Sequence, residues 1–402
     1  MDLSNSSSQP STIDVLPVAV SLVPAAGLFF LRLVTLRPNR IAAGEGFALF
    51  SLGLPQAPWV LMILAAVTVV AATVVMPQLE FPALTLWAVA ITVAPWLLLH
   101  MAAVELADQG RLADLARLSP GAGLWLSLIA ALAAWHELLR STRGRWRIVA
   151  LLVLLVTVGF VFSQIASPPL DRLSYVVEFN VRSDRFRQEL VQHLRLAGSA
   201  VALAVGIGVP AGMVAYRYPR FRDLILDVTS TLQTVPSLAM FGLLIAPLAA
   251  LSRAIPALRE MGISGVGTTP ALIALTLYAL LPVVRNTVTG LAVVPPSVRE
   301  SGQAMGMTRR QRFWMVEIPL AVPVLLRGVR TAAVQAVGNT TVAGLIGAGG
   351  LGWFVFQGLG QAATDLVVLG VIPIVLLAIV VDRVFTVLER LAHHGHTTGE
   401  LR

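Results

Sequence analysis

Long apolar runs and short polar segments alternate along the chain. The runs approach the length of about 20 residues that a helix needs to cross a hydrocarbon layer of about 30 Å. Membrane β-barrels give a different pattern, in which short segments alternate between apolar and polar residues. The pattern therefore predicts an all-α polytopic membrane protein with about ten transmembrane helices.

The predicted spans form two groups of five on either side of a polar stretch. The first group is Val15–Leu33, Trp59–Met76, Pro82–Met101, Gly121–Leu139 and Ile148–Ala166. The second group is Leu194–Tyr216, Leu224–Leu251, Pro270–Leu291, Leu320–Ile346 and Leu366–Leu388. This grouping predicts an N-terminal membrane extension at 1–166, an external polar connector at 167–190, a membrane core at 191–390 and a cytoplasmic tail at 391–402.

The longest polar insert in the second half is PPSVRESGQAMGMTRRQRFWMVEIP, residues 295–319, which lies between two predicted spans. Its charges would each cost on the order of several kcal/mol in hydrocarbon, so we expect it at the membrane surface, facing another protein. Pro295 and Pro296 end the preceding helix, because proline lacks the N–H donor. Ser297 followed by Glu300 predicts a capping box for a short helix, with Glu300 near its positive end, and Gly306 predicts its stop.

One face of this short helix is small and slightly apolar. Val298, Ser301, Gly302 and Met305 share that face at helical spacing. It suits a groove on a partner protein, but an ordinary amphipathic surface helix has the same pattern.

Composition agrees with a membrane protein. The chain is 56% hydrophobic and 12% charged, with a mean hydropathy of +0.81, whereas soluble domains carry roughly twice that charged fraction. The chain has no cysteine, which excludes disulfides and thiolate metal sites. Its net charge of +8 could suggest nucleic acid, but all its Lys and Arg are arginines in short loops beside spans, so we predict no nucleic-acid partner.

The arginines also predict orientation. Counting spans after Arg147 places most of the loops that carry arginine on one side, which is then cytoplasmic, and both termini are predicted to lie there. The arginines concerned are Arg140, Arg143, Arg145, Arg147, Arg217, Arg220, Arg222, Arg299, Arg309, Arg310, Arg312, Arg390 and Arg402. Arg32, Arg37 and Arg40 depart from this rule, because the same count places them outside. The N-terminus lacks a basic segment, which favours a retained first span over a cleaved signal peptide.

The insert at 295–319 resembles the EAA loop of ABC importer permeases. Glu300-Ser301-Gly302, Gly306 and Val316-Glu317-Ile318-Pro319 keep the spacing of that signature, with small or conservative changes at Ser301, Gly302, Val316 and Ile318. In that family the helix of the loop docks in a cleft of the ATP-hydrolysing subunit. The resemblance therefore implies coupling roles for Glu300, Ser301, Gly302, Gly306, Val316, Ile318 and Pro319.

Other motifs resemble the osmoprotectant permeases, which import glycine betaine, choline and related quaternary amines. These motifs are Gln233-Thr234-Val235-Pro236-Ser237, Gly267-Thr268-Thr269-Pro270, Leu281-Pro282-Val283-Val284-Arg285-Asn286-Thr287 and Ile346-Gly347-Ala348-Gly349-Gly350-Leu351-Gly352. The resemblance covers about half the chain and implies that the last five helices form a type I importer permease core. The extended first half, with Arg37-Pro38-Asn39-Arg40 and Gly44-Glu45-Gly46, looks like a longer variant of the family.

The resemblance also implies the partners. These are cytoplasmic ATP-binding subunits, an external solute-binding protein, a second permease copy or related permease, and the lipid bilayer. The chain itself is then no enzyme, and no cofactor or metal is predicted. Scattered aromatic residues without a cage indicate that tight selection of a quaternary amine lies in the binding protein.

Polar residues inside spans are candidates for the translocation path. They are Gln233, Thr234, Pro236, Ser237, Tyr278, Asn339, Thr340 and Thr341. Such groups line a water-filled route or join neighbouring helices by hydrogen bonds, and the sequence leaves both readings open. For Tyr278, helix packing is favoured.

Gly347, Gly349, Gly350 and Gly352 predict a tight turn with a gating role. This stretch lacks the Lys of a phosphate-binding loop, which excludes a Walker-type site. Two other classes compete with the ATP-driven importer: a transporter or channel driven by an ion gradient, and a membrane-anchored assembly protein. The first requires ionisable residues at mid-span, and the spans are almost free of carboxylates.

Overall fold

The computed structural model describes residues 22, 25–38, 44–54, 56–75, 80–112, 116–142, 144–168 and 170–397. The chain divides into two compact units, Met1–Glu178 and Phe179–Arg402. Within the described ranges, eight helices are long and apolar enough to cross a membrane, and Ala57–Ala71 is a shorter apolar helix. The all-α polytopic class is therefore confirmed.

The first unit contains a small antiparallel sheet that the sequence analysis missed. Its strands are β1 (Arg32–Arg37), β2 (Glu45–Ala48) and β3 (Arg117–Pro120), in the order β2-β1-β3. Residues 15–21, 23 and 24 of the predicted span Val15–Leu33 lie outside the described residues. Residues 25–30 are helical and β1 begins at Arg32, so the end predicted for that span was wrong.

The helices of the first unit surround one hydrophobic core. Trp87, Leu98, Leu99, Leu118 and Leu138 are buried in it. Leu118 belongs to β3, so the sheet and the helices share this core. The helices are α1 (Ala57–Val75), α2 (Glu80–Asp108), α3 (Ala122–Ser141), α4 (Gly144–Ile165) and α5 (Ser174–Val181).

The connector predicted at 167–190 is mostly helical and packed. Leu173 pairs with Leu118 of β3, and the hydroxyl groups of Ser174 and Ser119 lie 2.9 Å apart. Glu178 is buried and forms an ion pair with Arg117. Residues 170–178 of the predicted connector therefore belong to the first unit.

The second unit consists of long helices joined by short turns. They are α6 (Ser183–Arg217), α7 (Pro219–Thr234), α8 (Ser237–Ala254), α9 (Pro256–Glu260), α10 (Thr268–Val293), α11 (Pro296–Ala304), α12 (Arg309–Arg312), α13 (Ile318–Ala343), α14 (Gly352–Gly360) and α15 (Thr364–Thr397). The last helix runs through Thr397, and the side chains from His393 onward lie outside the described part, so the predicted tail is not tested.

Glycines let α6 and α13 approach α10 closely. A Cβ at Gly212 of α6 would lie 2.6 Å from the Cβ of Thr287, and a Cβ at Gly328 of α13 would lie 2.6 Å from the Cβ of Asn286. Only glycine fits at these crossings, as is common where membrane helices pack through small residues. This packing makes α10 the central helix of the unit.

The predicted span Leu224–Leu251 is broken. Helix α7 ends at Thr234 and α8 begins at Ser237, with Val235 and Pro236 extended between them. Proline disfavours the helical conformation in the residue before it, which accounts for the break at Val235.

Candidate functional site

The insert at 295–319 folds into two short helices and a wide helical turn. Pro295 precedes the first helix, α11, and Pro296 occupies its first position, where the missing N–H costs no hydrogen bond. The predicted capping box was wrong: Ser297 lies inside the helix, and Glu300 lies beyond its first turn. Gly306 follows the helix with φ +79°, as a helix stop requires.

The capping box belongs to the second helix, α12. The hydroxyl of Thr308 accepts from the backbone N–H of Gln311 at 3.3 Å, and the Gln311 side chain accepts from the backbone N–H of Thr308 at 2.9 Å. A π-helical turn, Phe313–Glu317, then leads directly into α13. The insert is thus joined without a flexible link to a membrane helix.

Glu317 connects α11 and α12, the two short helices of the insert. It is buried, and Arg312 Nε donates to its Oε1 at 3.1 Å. Arg299 Nε of α11 lies 3.9 Å from the other carboxylate oxygen, and Arg299 also donates to the carbonyl of Leu291 at 2.8 Å. Sequence reasoning placed Glu317 in the motif but gave it no role. Its position among four arginines, with only Glu300 as a second acid in the insert, was the available signal.

The four residues predicted to share a partner-facing surface are separated in the structure. Gly302 is buried, and a Cβ at this position would lie 3.4 Å from the side chain of Arg312. Val298 is half-buried. Ser301 and Met305 are exposed, as is Glu300. Of these residues, Glu300, Ser301 and Met305 are therefore available to a partner, and we call them the exposed triplet.

The remaining predicted coupling residues lie at the start of the membrane helix. Val316, Ile318 and Pro319 are half-buried, on either side of buried Glu317. They join the insert to α13 rather than extend the exposed triplet.

Two candidate path residues lie at the break between α7 and α8. Gln233 Nε2 donates to the carbonyl of Tyr278 at 2.7 Å, and the hydroxyl of Tyr278 donates to the carbonyl of Val235. This exchange satisfies a backbone carbonyl that the break leaves without a helical partner. The side chains of Gln233 and Tyr278 therefore join α10 to the broken span.

The other path candidates are placed in different surroundings. Thr234 donates to the carbonyl of Thr231 within its own helix, and Thr340 is buried and donates to the carbonyl of Ala336 at 2.7 Å. Asn339 and Thr341 are half-buried on α13. Pro236 and Ser237 begin α8. The assignment of these residues to a path stays a prediction.

The glycine-rich segment is a tight turn between α13 and α14. A short 3-10 helix, Gly344–Ile346, comes first, and Gly347, Gly349 and Gly350 then have φ values of +75°, +78° and +88°. This left-handed region explains why the turn needs glycine. Gly352 begins α14, where a Cβ would meet the carbonyl of Thr341 at 1.8 Å.

Three polar side chains of α6 hold this turn in place. The backbone N–H of Gly350 donates to Glu189 Oε2 at 2.6 Å, and that of Leu351 donates to His193 Nδ1 at 3.3 Å. Gln192 Nε2 donates to the carbonyl of Ala348 at 3.0 Å. We call Glu189, Gln192 and His193 the turn clamp.

Two of the three clamp residues are buried. Glu189 and His193 are both buried, and Arg185 pairs with the second oxygen of Glu189 at 2.6 Å. His193 Nε2 lies 3.0 Å from the carbonyl of Val337, so this nitrogen carries the proton and Nδ1 is free to accept. Sequence reasoning missed the clamp, because its partners lie about 160 residues away along the chain; an acid and a histidine at i, i+4 at the head of a span were the only signal.

One carboxylate lies inside the last predicted span. Asp382 of α15 lies within the predicted span Leu366–Leu388 and accepts from Arg330 Nε of α13 at 2.7 Å. Arg330 also lies 3.6 Å from Glu389. Asp382 is therefore ion-paired.

Two family models match the chain. Residues 204–394 match the binding-protein-dependent transport system inner membrane component, and residues 14–176 match the N-terminal domain of the ABC transporter permease YehY. Together these two matches leave residues 177–203 uncovered, which include the first part of α6.

Curated relatives match about half of the chain. It is 43% identical over 191 residues to the osmoprotectant import permease protein OsmW of Salmonella typhimurium, covering 48% of this chain and 84% of that protein. It is 43% identical over 191 residues to the carnitine transport permease protein OpuCB of Listeria monocytogenes, covering 48% and 80%. It is 37% identical over 204 residues to the glycine betaine/carnitine/choline transport system permease protein OpuCD of Bacillus subtilis, covering 50% and 82%.

Proposed function

Because this chain belongs to the binding-protein-dependent inner membrane permeases of osmoprotectant ABC importers, we propose that it carries glycine betaine or another quaternary amine from a binding protein into the cytoplasm. The solute is inferred from relatives whose names specify glycine betaine, carnitine or choline. Permeases of this family are non-catalytic subunits, and ATP hydrolysis takes place in partner proteins.

The family works with ATP-binding subunits, a substrate-binding protein and a second permease. In our proposal the ATP-binding subunit docks on the exposed triplet of α11, at the cytoplasmic side. Met305 is 71% exposed there, although it is a large apolar side chain next to a glycine stop. A groove on a partner would remove that apolar surface from water, which favours association.

The observation that carries the proposal is the rigid path from the triplet to the opposite side of the unit. Gly302 and Glu317 fix α11 to α12, and the π-helical turn continues into α13. Helix α13 has 26 residues and is thus about 39 Å long, and it ends at the glycine-rich turn. Movement of the docked helix can therefore reach the turn through one membrane helix.

At the other end, the turn clamp would hold the turn while the permease is closed to the outside. Docking of the binding protein changes the equilibrium only if it contacts the open and closed states differently. In our proposal, the hydrogen bonds that Gly350 and Leu351 donate to the turn clamp form in the closed state and break in the open state. Gly347, Gly349, Gly350 and Gly352 form the gating element in this proposal, and both chain termini lie in the cytoplasm.

The test is solute uptake by the complete importer. The permease is reconstituted in liposomes with its ATP-binding subunits and binding protein, and labelled glycine betaine is followed with ATP inside, without ATP, and with an imposed ion gradient. We expect uptake with ATP alone. Uptake that follows the ion gradient and ignores ATP would refute the proposal.

The docking surface has a matched pair of variants. Met305→Asp should reduce copurification of the ATP-binding subunit by about tenfold or more, because loss of about 1.5–3 kcal/mol of apolar burial is accompanied by a buried charge. Met261→Asp makes the same change at a methionine that is 75% exposed between α9 and α10, and it should leave copurification unchanged. Equal copurification of both variants would show that the exposed triplet is not the docking surface.

A further inference from the structure

A groove of about 840 Å³ lies between the last turn of α6 and the insert. Tyr216, Arg217 and Tyr218 form one wall, and Arg310 and Trp314 belong to the other. The exposed triplet is not part of its lining. The groove is thus a second surface of the same insert.

The groove is strongly basic. Five arginines line it, at 217, 299, 309, 310 and 312, against a single carboxylate, Glu317. Arg299 and Arg312 already hold that carboxylate, and within the described ranges no ion pair forms at Arg217, Arg309 or Arg310. The buried Nε of Arg299 also has no hydrogen-bond partner among the described residues. The groove therefore offers several donors to an anion.

The groove lies at the depth of a membrane interface. Its walls come from the final residues of the span Ser183–Arg217 and the first residues of the span Arg309–Ile346. Tyr218 and Trp314 are about half exposed, at 48% and 55%. Tyrosine and tryptophan beside arginine at the end of a span are typical of contact with lipid headgroups.

We propose that this groove binds the phosphodiester headgroup of an anionic phospholipid from the cytoplasmic leaflet. Arg217, Arg309 and Arg310 contact the phosphate, since basic pockets between membrane helices on this side suit such headgroups. The acyl chains lie against Trp314 and neighbouring Met315, which is 66% exposed. This apolar surface favours a lipid over a free phosphate, and its position away from the exposed triplet favours a lipid over the ATP-binding subunit.

The bound lipid would connect α6 with the insert. Arg217 belongs to α6, whereas Arg309 and Arg310 begin α12. One phosphate between them neutralises charges that otherwise repel each other. Anionic lipid should therefore stabilise the position of the insert relative to the membrane helices.

The experiment measures lipid retained by the full-length permease. The protein is purified from nanodiscs of phosphatidylcholine containing phosphatidylglycerol, and bound phosphatidylglycerol is quantified by native mass spectrometry. Each arginine should contribute about fivefold to the affinity for the anionic lipid. The double variant Arg309→Gln with Arg310→Gln should therefore lower retention by more than about tenfold. The control, Arg220→Gln with Arg222→Gln, removes the same charge just after α6 but outside the groove and should lower retention by less than about twofold.

Two further arms identify the ligand. Excess soluble glycerol 3-phosphate should leave the retained phosphatidylglycerol in place, and the groove variant should still copurify with the ATP-binding subunit. The proposal is overturned if the groove and control variants lose lipid equally, or if soluble phosphate displaces the lipid. It is also overturned if the groove variant keeps its lipid but loses the ATP-binding subunit, because the groove would then be part of the docking surface.

Discussion

Glu317 and Glu300 are the two carboxylates of the insert, and their surroundings are opposite. Glu317 is buried between Arg299 and Arg312, whereas Glu300 is exposed on α11. Removing one partner of a buried ion pair leaves the other charges desolvated, which costs more than the pair contributes. Glu317 is therefore the side chain that fixes the insert, and Glu300 is available to a partner.

Glu317→Gln should uncouple hydrolysis from transport. The neutral amide leaves two arginine charges without a counter-charge, and we expect the free energy of unfolding to fall by about 1–3 kcal/mol, since both arginines keep some contact with water. The exposed triplet is untouched, so the ATP-binding subunit should still bind and hydrolyse ATP while uptake per ATP falls. Thermal unfolding, hydrolysis and uptake of the reconstituted importer measure these effects.

Glu300→Gln is the control for stability, because the same chemical change at an exposed position should leave the unfolding temperature unchanged. A Glu317→Gln importer with the same ratio of uptake to hydrolysis as the unmodified protein would contradict the role given to this residue.

At the scale of elements, the break between α7 and α8 is the feature that most changes the predicted spans. An apolar span that is interrupted in a membrane must satisfy the freed backbone groups internally. Tyr278 does this for Val235, and Gln233 binds back to the carbonyl of Tyr278. The break is thus held to α10, the central helix of the second unit.

Tyr278→Phe should loosen this break without unfolding the helices. The lost hydrogen bond costs about 1 kcal/mol, which corresponds to about fivefold faster hydrogen exchange at the backbone amide of Met240, which donates to the carbonyl of Pro236 at the start of α8. Thr276→Val is the matched control, because its hydroxyl donates only to Leu272 within α10. Equal exchange at the start of α8 in both variants would mean that Tyr278 does not hold the break.

Local signals predicted some elements correctly, and long-range contacts account for the rest. The helix at 296–304, its stop at Gly306 and the turn at Gly347–Gly350 follow from proline and glycine chemistry that acts within a few residues. The three strands were not predicted, because each has only four to six residues and lies in a loop region that carries arginine. The turn clamp could not be predicted, since no periodicity connects Glu189 with Gly350.

At the scale of the molecule, each unit has its own hydrophobic clusters. Trp87 lies in the core of the first unit, and Phe241 and Phe354 lie in separate clusters of the second. The curated relatives match only 48–50% of this chain, although 80–84% of their own length is covered. These relatives are therefore only slightly longer than one half of this chain.

Residues 179–402 should therefore insert into the membrane and bind the ATP-binding subunit on their own. We expect ATP-dependent uptake to persist in liposomes, while residues 1–178 alone should give none. Copurification and labelled-solute uptake test both halves. Aggregation of 179–402, or its failure to bind the ATP-binding subunit, would mean that the second unit needs the first in order to fold.

The packing of residues 170–178 within the first unit has a consequence for protease digestion. Residues 170–178 are tied to β3 through the Leu173 pairing, the Ser174 hydroxyl and the buried Glu178 carboxylate. Proteases cleave exposed, unpaired loop tips, and the backbone of this stretch is packed and paired instead. Mild trypsin treatment should consequently leave Arg172 uncut.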